Sequence, residues 1–334
     1  MRYAILLLAS ALLACGGSAT PAPSDPSESS TSGGEQEQEQ EQAREAAPPV
    51  DAVQIQVLDP GSEPRQVLRY HIPEGATEQL DMTQRVETTI ILGGQPMGSP
   101  TAFPIATRMS FGPASSSADG NLHLPFRIDS MELGRGEGMT EATQAAAAAA
   151  VAPLVGTTGA EEMDARGRVT NSTIDVPEGV APAMAETLEN MRKAMVDAGV
   201  PFPEQAVGVG ARWQVRKHVT RRGLLIETVS TYTLRELNAD GGRFDAVVSG
   251  SAPPQPFPPT GDDSTAELQS MTLRGGGEST FSFRRMASTA SNWVEMDMEA
   301  LIRAQGQAHG MQMHMRQTIT IAPVAADAPG VVAP

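Results

Sequence analysis

Apolar and polar positions alternate with period two through most of residues 50–322. Within 77–92, Leu80, Met82, Val86, Ile90 and Leu92 share one parity, while Gln79, Asp81, Thr83, Arg85 and Glu87 fill the other. That period puts alternate side chains on opposite faces of a strand, and it predicts a half-buried strand or a bent hairpin. The pattern recurs at Leu122, Leu124, Phe126 and Ile128, at Leu224, Ile226, Tyr232 and Leu234, and at Phe244, Ala246 and Val248. It ends with Phe281 and Phe283, then Val294, Met296 and Met298, then Met311, Met313 and Met315 leading into Ile319 and Ile321. Asp119-Gly120, Arg222-Gly223 and Asp240-Gly241 lie between such runs. Glycine there accepts a positive φ without steric cost, and consecutive hairpins imply antiparallel sheet.

Two stretches have another period. Over 182–198, Met184, Leu188, Met191 and Met195 form one stripe at helical spacing, and Gly199 and Pro201 supply a stop. The alanines at 145–150, between Thr140 and Pro153, are a second possible helix with no differentiated face. Pro253, Pro254, Pro256, Pro258 and Pro259 exclude a central strand and predict a long loop, followed by the acidic pair Asp262-Asp263. The expected fold is mainly β with minor α. It is a curved antiparallel sheet, or sheets, forming a half-barrel or sandwich, with one amphipathic helix packed on or between the halves. The domain spans 50–322, with possible halves 50–176 and 204–322 joined by helix 182–198. Residues 323–334 read as a disordered tail.

The N-terminus has different chemistry. Arg2, an apolar or small stretch over 5–14 and the small residue Ala14 read as a signal peptide at 1–14, too short for the roughly 20 apolar residues of a membrane span. Cys15, the single cysteine, follows at once. A bacterial lipoprotein signal has this form: cleavage between Ala14 and Cys15 leaves the lipidated cysteine as the first mature residue. The alternative is a plain secretory signal with a chance cysteine. Gly16 beside the anchor resembles lipoproteins sorted to the outer membrane. With no second cysteine, no disulfide can staple the fold.

Residues 15–49 are rich in Ser, Pro, Glu and Gln, including a Glu-Gln alternation over 35–42, and have almost nothing apolar to bury. They read as a disordered linker with a reach of roughly 30 Å; a partner-binding acidic tail is the other reading. The formal net charge of −16 argues against nucleic acid and against polybasic membrane contact.

Candidate chemistry centres on Met296, Met298, Met311, Met313 and Met315. With His309 on the same parity and His314 opposite, they could suggest a Cu(I) site, though methionine also serves as adaptable core filler. Flexible thioethers on a concave sheet can equally line a pocket for an apolar ligand, with helix 182–198 as its cover, or close into an ordinary core. Asp262, Asp263 and Glu267 do not have calcium-loop spacing and read as solvated charge. Gly275-Gly276-Gly277 lacks the Lys-Ser/Thr of a phosphate loop and reads as a turn. Trp213 and Trp293 are expected to anchor the core. No catalytic motif is visible, and no catalytic residue, metal ligand or cofactor is assigned.

Several short elements occur in order: Leu68-Arg69-Tyr70 as an early strand with Pro73-Glu74-Gly75, then Leu154-Val155-Gly156 with Gly167-Arg168-Val169. A helix follows, then Pro203 with Val207, Gly210 and Trp213, and then Thr231-Tyr232-Thr233-Leu234 before an Asp-Gly hairpin. In this order the chain resembles an uncharacterised family of bacterial lipoproteins, and departs from it in the Ala-rich stretch and the Pro-rich loop. The resemblance implies a β-rich envelope lipoprotein and transfers no catalytic residue. The expected function is an envelope lipoprotein on its lipid anchor, at the periplasmic face or the cell surface of the outer membrane. It would bind an apolar or lipid-like ligand or an envelope protein partner. A structural scaffold is the alternative, and a metal-binding or hydrolytic protein the third.

Overall fold

The computed structural model describes residues 53–97, 101–117, 119–136, 139–176, 182–221, 223–257, 264–304 and 307–324. The expected signal peptide, Cys15 and the linker lie outside the described residues, as do Asp262, Asp263 and residues 325–334. In chain order the first elements are β1 (Gln54–Asp59), β2 (Glu78–Leu92), β3 (Gln95–Pro96), β4 (Thr101–Phe111), β5 (Ser115–Ser116) and β6 (Leu122–Leu133). Helix α1 (Glu141–Val151), β7 (Thr158–Met163), β8 (Val169–Ile174) and helix α2 (Pro182–Ala198) follow. The remainder is β9 (Arg212–Arg221), β10 (Leu224–Leu237), β11 (Gly241–Ala252), β12 (Gln255–Phe257), β13 (Ser264–Ser282), β14 (Ala290–Ala304) and β15 (Gln307–Pro323).

The fold is mostly antiparallel β with minor helix, as the alternation predicts. All the strands join one sheet in the order β1-β9-β10-β11-β13-β14-β15-β2-β4-β6-β7-β8, with β3, β5 and β12 as side branches. The possible halves therefore merge: β15 pairs with β2, setting Ile321 opposite Met82 and Met313 opposite Ile90. The ladder runs into the segment read as a tail, where Pro323 lies opposite Leu80. The sheet is not closed, and β1 and β8 are its two edges. It curls strongly, because Leu224 and Ile226 of β10 pack with Val86 of β2 across four intervening strands.

The curl separates the faces by polarity. Inner positions are mostly apolar, while the outer face carries ion pairs such as Arg108–Asp81 at 2.7 Å and Arg274–Glu295 at 2.6 Å. The Arg108 hydrogen bond holds the Asp81 carboxyl below its usual range. Exposed pairs of this kind contribute little stability each, but they fix the outer face as water-facing. A lipid-embedded barrel has the reverse polarity, apolar outside and polar within.

Helix α2 forms where the stripe predicts it. Leu188 packs on Val151 and Leu154 at the end of α1, while Met195 enters the main core. Its body lies on β8. Lys217 Nζ of β9 donates to the Gly199 carbonyl at 3.1 Å, and Arg221 donates to the Lys193 carbonyl at 3.2 Å. Cations suit a helix C-terminus, whose last carbonyls carry partial negative charge. Thus α2 bridges one edge of the sheet to a strand near the other. The alanine run forms α1, with the Thr140 hydroxyl accepting from the Thr143 amide at 3.1 Å.

Four local expectations change. Leu68 to Tyr70 is not a strand; Tyr70 N donates to the Ala165 carbonyl and His71 N to that of Phe283, so the segment plugs the interior. Gln255–Phe257 inside the proline-rich stretch forms β12, pairing only with β13, an edge position that proline tolerates. The glycine triplet is no turn but the middle of β13, paired on both sides. Trp293 points to the outer face and is 37% exposed, whereas Trp213 is fully buried.

Candidate functional site

The inner face is built differently at its two ends. At one end, rings interlock in a chain: Tyr70 stacks on Phe202 at 5.1 Å, Phe202 meets Phe281 at 5.1 Å, and Phe281 meets Phe244 at 6.1 Å. Tyr232 follows at 5.5 Å from Phe244, with Trp213 stacked on it at 5.4 Å. Leu68, Tyr70 and Trp213, which carry the family resemblance, are thus packing residues.

The other end is Met-rich. Across β14 and β15, Met296 lies opposite Met315, Met298 opposite Met313, and Ala300 opposite Met311. All five methionines singled out in the sequence come together on one face. Met296, Met298, Met313 and Met315 are buried in one cluster with Met271, Leu268, Leu224, Ile226, Val86 and Ala252. Among the described residues this buried cluster has no aromatic member. Ile90, Val219 and Met311 lie half-buried at its margin. Met271 was not foreseen: a bulge between Leu268 and Ser270 shifts the parity of β13, so two residues three apart both face inward. Among the described side chains of helix α2, the buried Leu188 and Met195 join the other clusters and not this one.

A polar layer separates the two ends. Gln317 Nε2 donates to Gln84 Oε1 at 3.4 Å, and both are buried. Asn292 and Ser230 are buried at neighbouring levels. A void of about 20 Å³, the size of one water, lies among Tyr232, Phe244, Ser279, Asn292 and Val294. The Asn292 Nδ2 group is buried with no hydrogen-bond partner among the described residues.

Burial pushes the Tyr232 hydroxyl up to about 12 from an ordinary value of 10.0, against a smaller downward pull from its Ser230 hydrogen bond. Folding therefore favours the neutral phenol. That stabilisation is complete below pH 10 and is lost as pH rises through about 12. Alkaline unfolding should begin in this window, and Tyr232→Phe should blunt it by on the order of 2–3 kcal/mol, read as stability against pH.

The other candidates scatter. His314 Nδ1 sits 2.7 Å from Asp297 Oδ1 on the outer face, away from the methionine row. Glu267 pairs with Arg303 at 3.5 Å. Among the described residues, no group of three or more His, Cys, Asp or Glu could hold a metal ion. No helix among them is long and apolar enough to cross a membrane.

No protein-family model matches the chain. No curated protein matches it either. Among solved structures it is similar to one described as "Asymmetric conductivity of engineered proteins", at 9% identity and a TM-score of 0.19, covering 73% of this chain and 100% of that one. Two mutants of the Rh. blastica porin align over the same shares at 8% identity and a TM-score of 0.18. Likenesses at this level carry no argument.

Proposed function

We propose that this protein is an envelope lipoprotein, held by lipid on Cys15, that binds an apolar or lipid-like ligand at the Met-rich end of its curled sheet. One observation carries this reading: the interior is filled by interlocked rings at one end and, at the other, by a ring-free aliphatic cluster in which five of the ten buried members are methionine. Rings pack in fixed geometries, whereas methionine has rotatable bonds and polarizable sulfur and can re-pack around a guest. The half-buried margin at Ile90, Val219 and Met311 offers entry without breaking a ladder. The lipobox-like N-terminus, ending at Ala14 and Cys15, supports the envelope location.

Native mass spectrometry of the full chain purified from its host should show adducts in the acyl-lipid mass range, released on denaturation. A clean apo mass, with no response to a hydrophobic fluorophore, would remove the ligand. Cys15→Ser should move the protein from the membrane fraction to the soluble one, and continued sedimentation with membranes would contradict the anchor.

A further inference from the structure

We propose that the hairpin formed by β2, β3 and β4 dips into the surface of a lipid bilayer and sets the Met-rich end against it. The first observation is charge. From Thr88 to Met97, and again from Ala102 to Thr107, no side chain is charged, in a protein that is 19% charged overall. The second is geometry. Ile90 and Leu92 face inward opposite Met313 and Met311, while Ile91 lies on the outer face opposite Gln312. All three are half-buried, and Met97 is 50% exposed. Met97 N donates to the Ile90 carbonyl at 2.8 Å, which fixes it at the tip.

Gly93 and Gly94 have φ of 58° and 80°, the left-handed turn that returns the chain. Gly93 N donates to the Gly310 carbonyl at 2.8 Å, tying this tip to the β14–β15 hairpin, where Leu301 and Ile302 are also half-buried. The connections at the opposite end of the sheet are polar, with Asn238, Asp240, Arg284 and Arg285 exposed. Beside the tip itself, the neighbouring strand ends carry Arg221 and the Arg303–Glu267 pair at 3.5 Å, so the charge-free surface is that of the hairpin tip and not of the whole end. An apolar, charge-free tip at one end alone has the character of an interfacial contact.

A bilayer fits this tip better than a protein because of what surrounds it. The lipid anchor proposed at Cys15 holds the domain at a typical distance of roughly 30 Å from a membrane, close enough for frequent contact. Between Thr88 and Thr107 the hairpin has no Lys or Arg to recognise anionic headgroups; its two arginines, Arg85 and Arg108, lie farther down the strands and are paired with Glu87 and Asp81, and the net charge of −16 opposes such headgroups. The contact is therefore apolar and suits zwitterionic lipid. The inference rests on the anchored reading for proximity and is independent of whether the methionines take a ligand.

The test uses the mature-length chain, residues 16–334, which has no acyl group and retains every described contact. It should float with phosphatidylcholine vesicles, unaffected by salt, and weaken when anionic lipid is added. Ile91→Lys and Met97→Lys should each lower the bound fraction about tenfold, with circular dichroism and melting temperature unchanged. Failure of the parent chain to float, equal flotation of the lysine variants, or binding only to anionic vesicles that salt abolishes would each overturn the contact. A clean apo mass with flotation intact would remove the ligand and keep the membrane contact; adducts without flotation would do the reverse.

Discussion

Trp213→Ala is expected to lower the unfolding free energy by about 3–5 kcal/mol. Trp213 is fully buried, stacked on Tyr232 at an interplanar angle of 23° and edge-on to Phe244 at 6.2 Å. Deleting its indole removes transfer free energy and leaves a void beside Tyr232 and Phe244, which are held on β10 and β11 and cannot collapse into it. The indole Nε1 has no hydrogen-bond partner among the described residues. Trp213→Phe therefore breaks no hydrogen bond and should lose only packing, a smaller cost. Urea melts of the two variants check this. A midpoint for Trp213→Ala close to the parent, at unchanged slope, would mean that the ring chain is not the keystone of that end.

Gly277→Val is expected to cost on the order of 3 kcal/mol, at the upper end of typical overpacking. A Cβ at position 277 would lie 2.2 Å from Asn292 Oδ1 and 2.3 Å from the Ser291 carbonyl oxygen. The amide oxygen could swing away, but the carbonyl is fixed in the ladder. Position 275 is similar, with the Trp293 carbonyl 2.7 Å away. Both face inward, where the sheet bends and neighbouring strands crowd together. Gly276 faces outward, and its nearest neighbour is the Ala246 carbonyl at 3.0 Å. Gly276→Ala should be mild by comparison. Thermal melts of both variants decide the point, since equal shifts would show that the triplet is needed for backbone freedom and not for the close approach of β13 to β14.

Much of the sheet was legible because one of its faces is wet and the other dry. That contrast writes period two into β2, β10, β14 and β15, and it places Met296, Met298, Met313 and Met315 on the inner face. The same parity already sets Trp293 apart from Val294 and Met296, so its outward position was readable from its neighbours. The stripe of α2 was equally plain. Pairing order was not, since β15 meets β2 across more than two hundred residues of chain and no local pattern records it. Met271 was hidden by a bulge that breaks the parity on which the reading depends. Leu68 and Tyr70 alternate like a strand, yet they serve as plugs, with Tyr70 N donating to the Ala165 carbonyl and the next residue, His71, donating to that of Phe283. The charge-free tip at Ile91 and Met97 was present in the sequence but acquires meaning only beside the methionines it adjoins.

The binding reading is tested most directly by the methionine methyl groups themselves. With the protein labelled at the methionine methyl carbons, a stearate carrying a nitroxide near its terminal methyl can be titrated in and the methyl spectrum followed. The signals of Met271, Met296, Met298, Met313 and Met315 should broaden first and strongly, while those of Met82, Met163 and Met195, which belong to the ring-filled core, stay sharp. Broadening of both groups alike, or of neither at saturating stearate, would contradict a binding site at the Met-rich end.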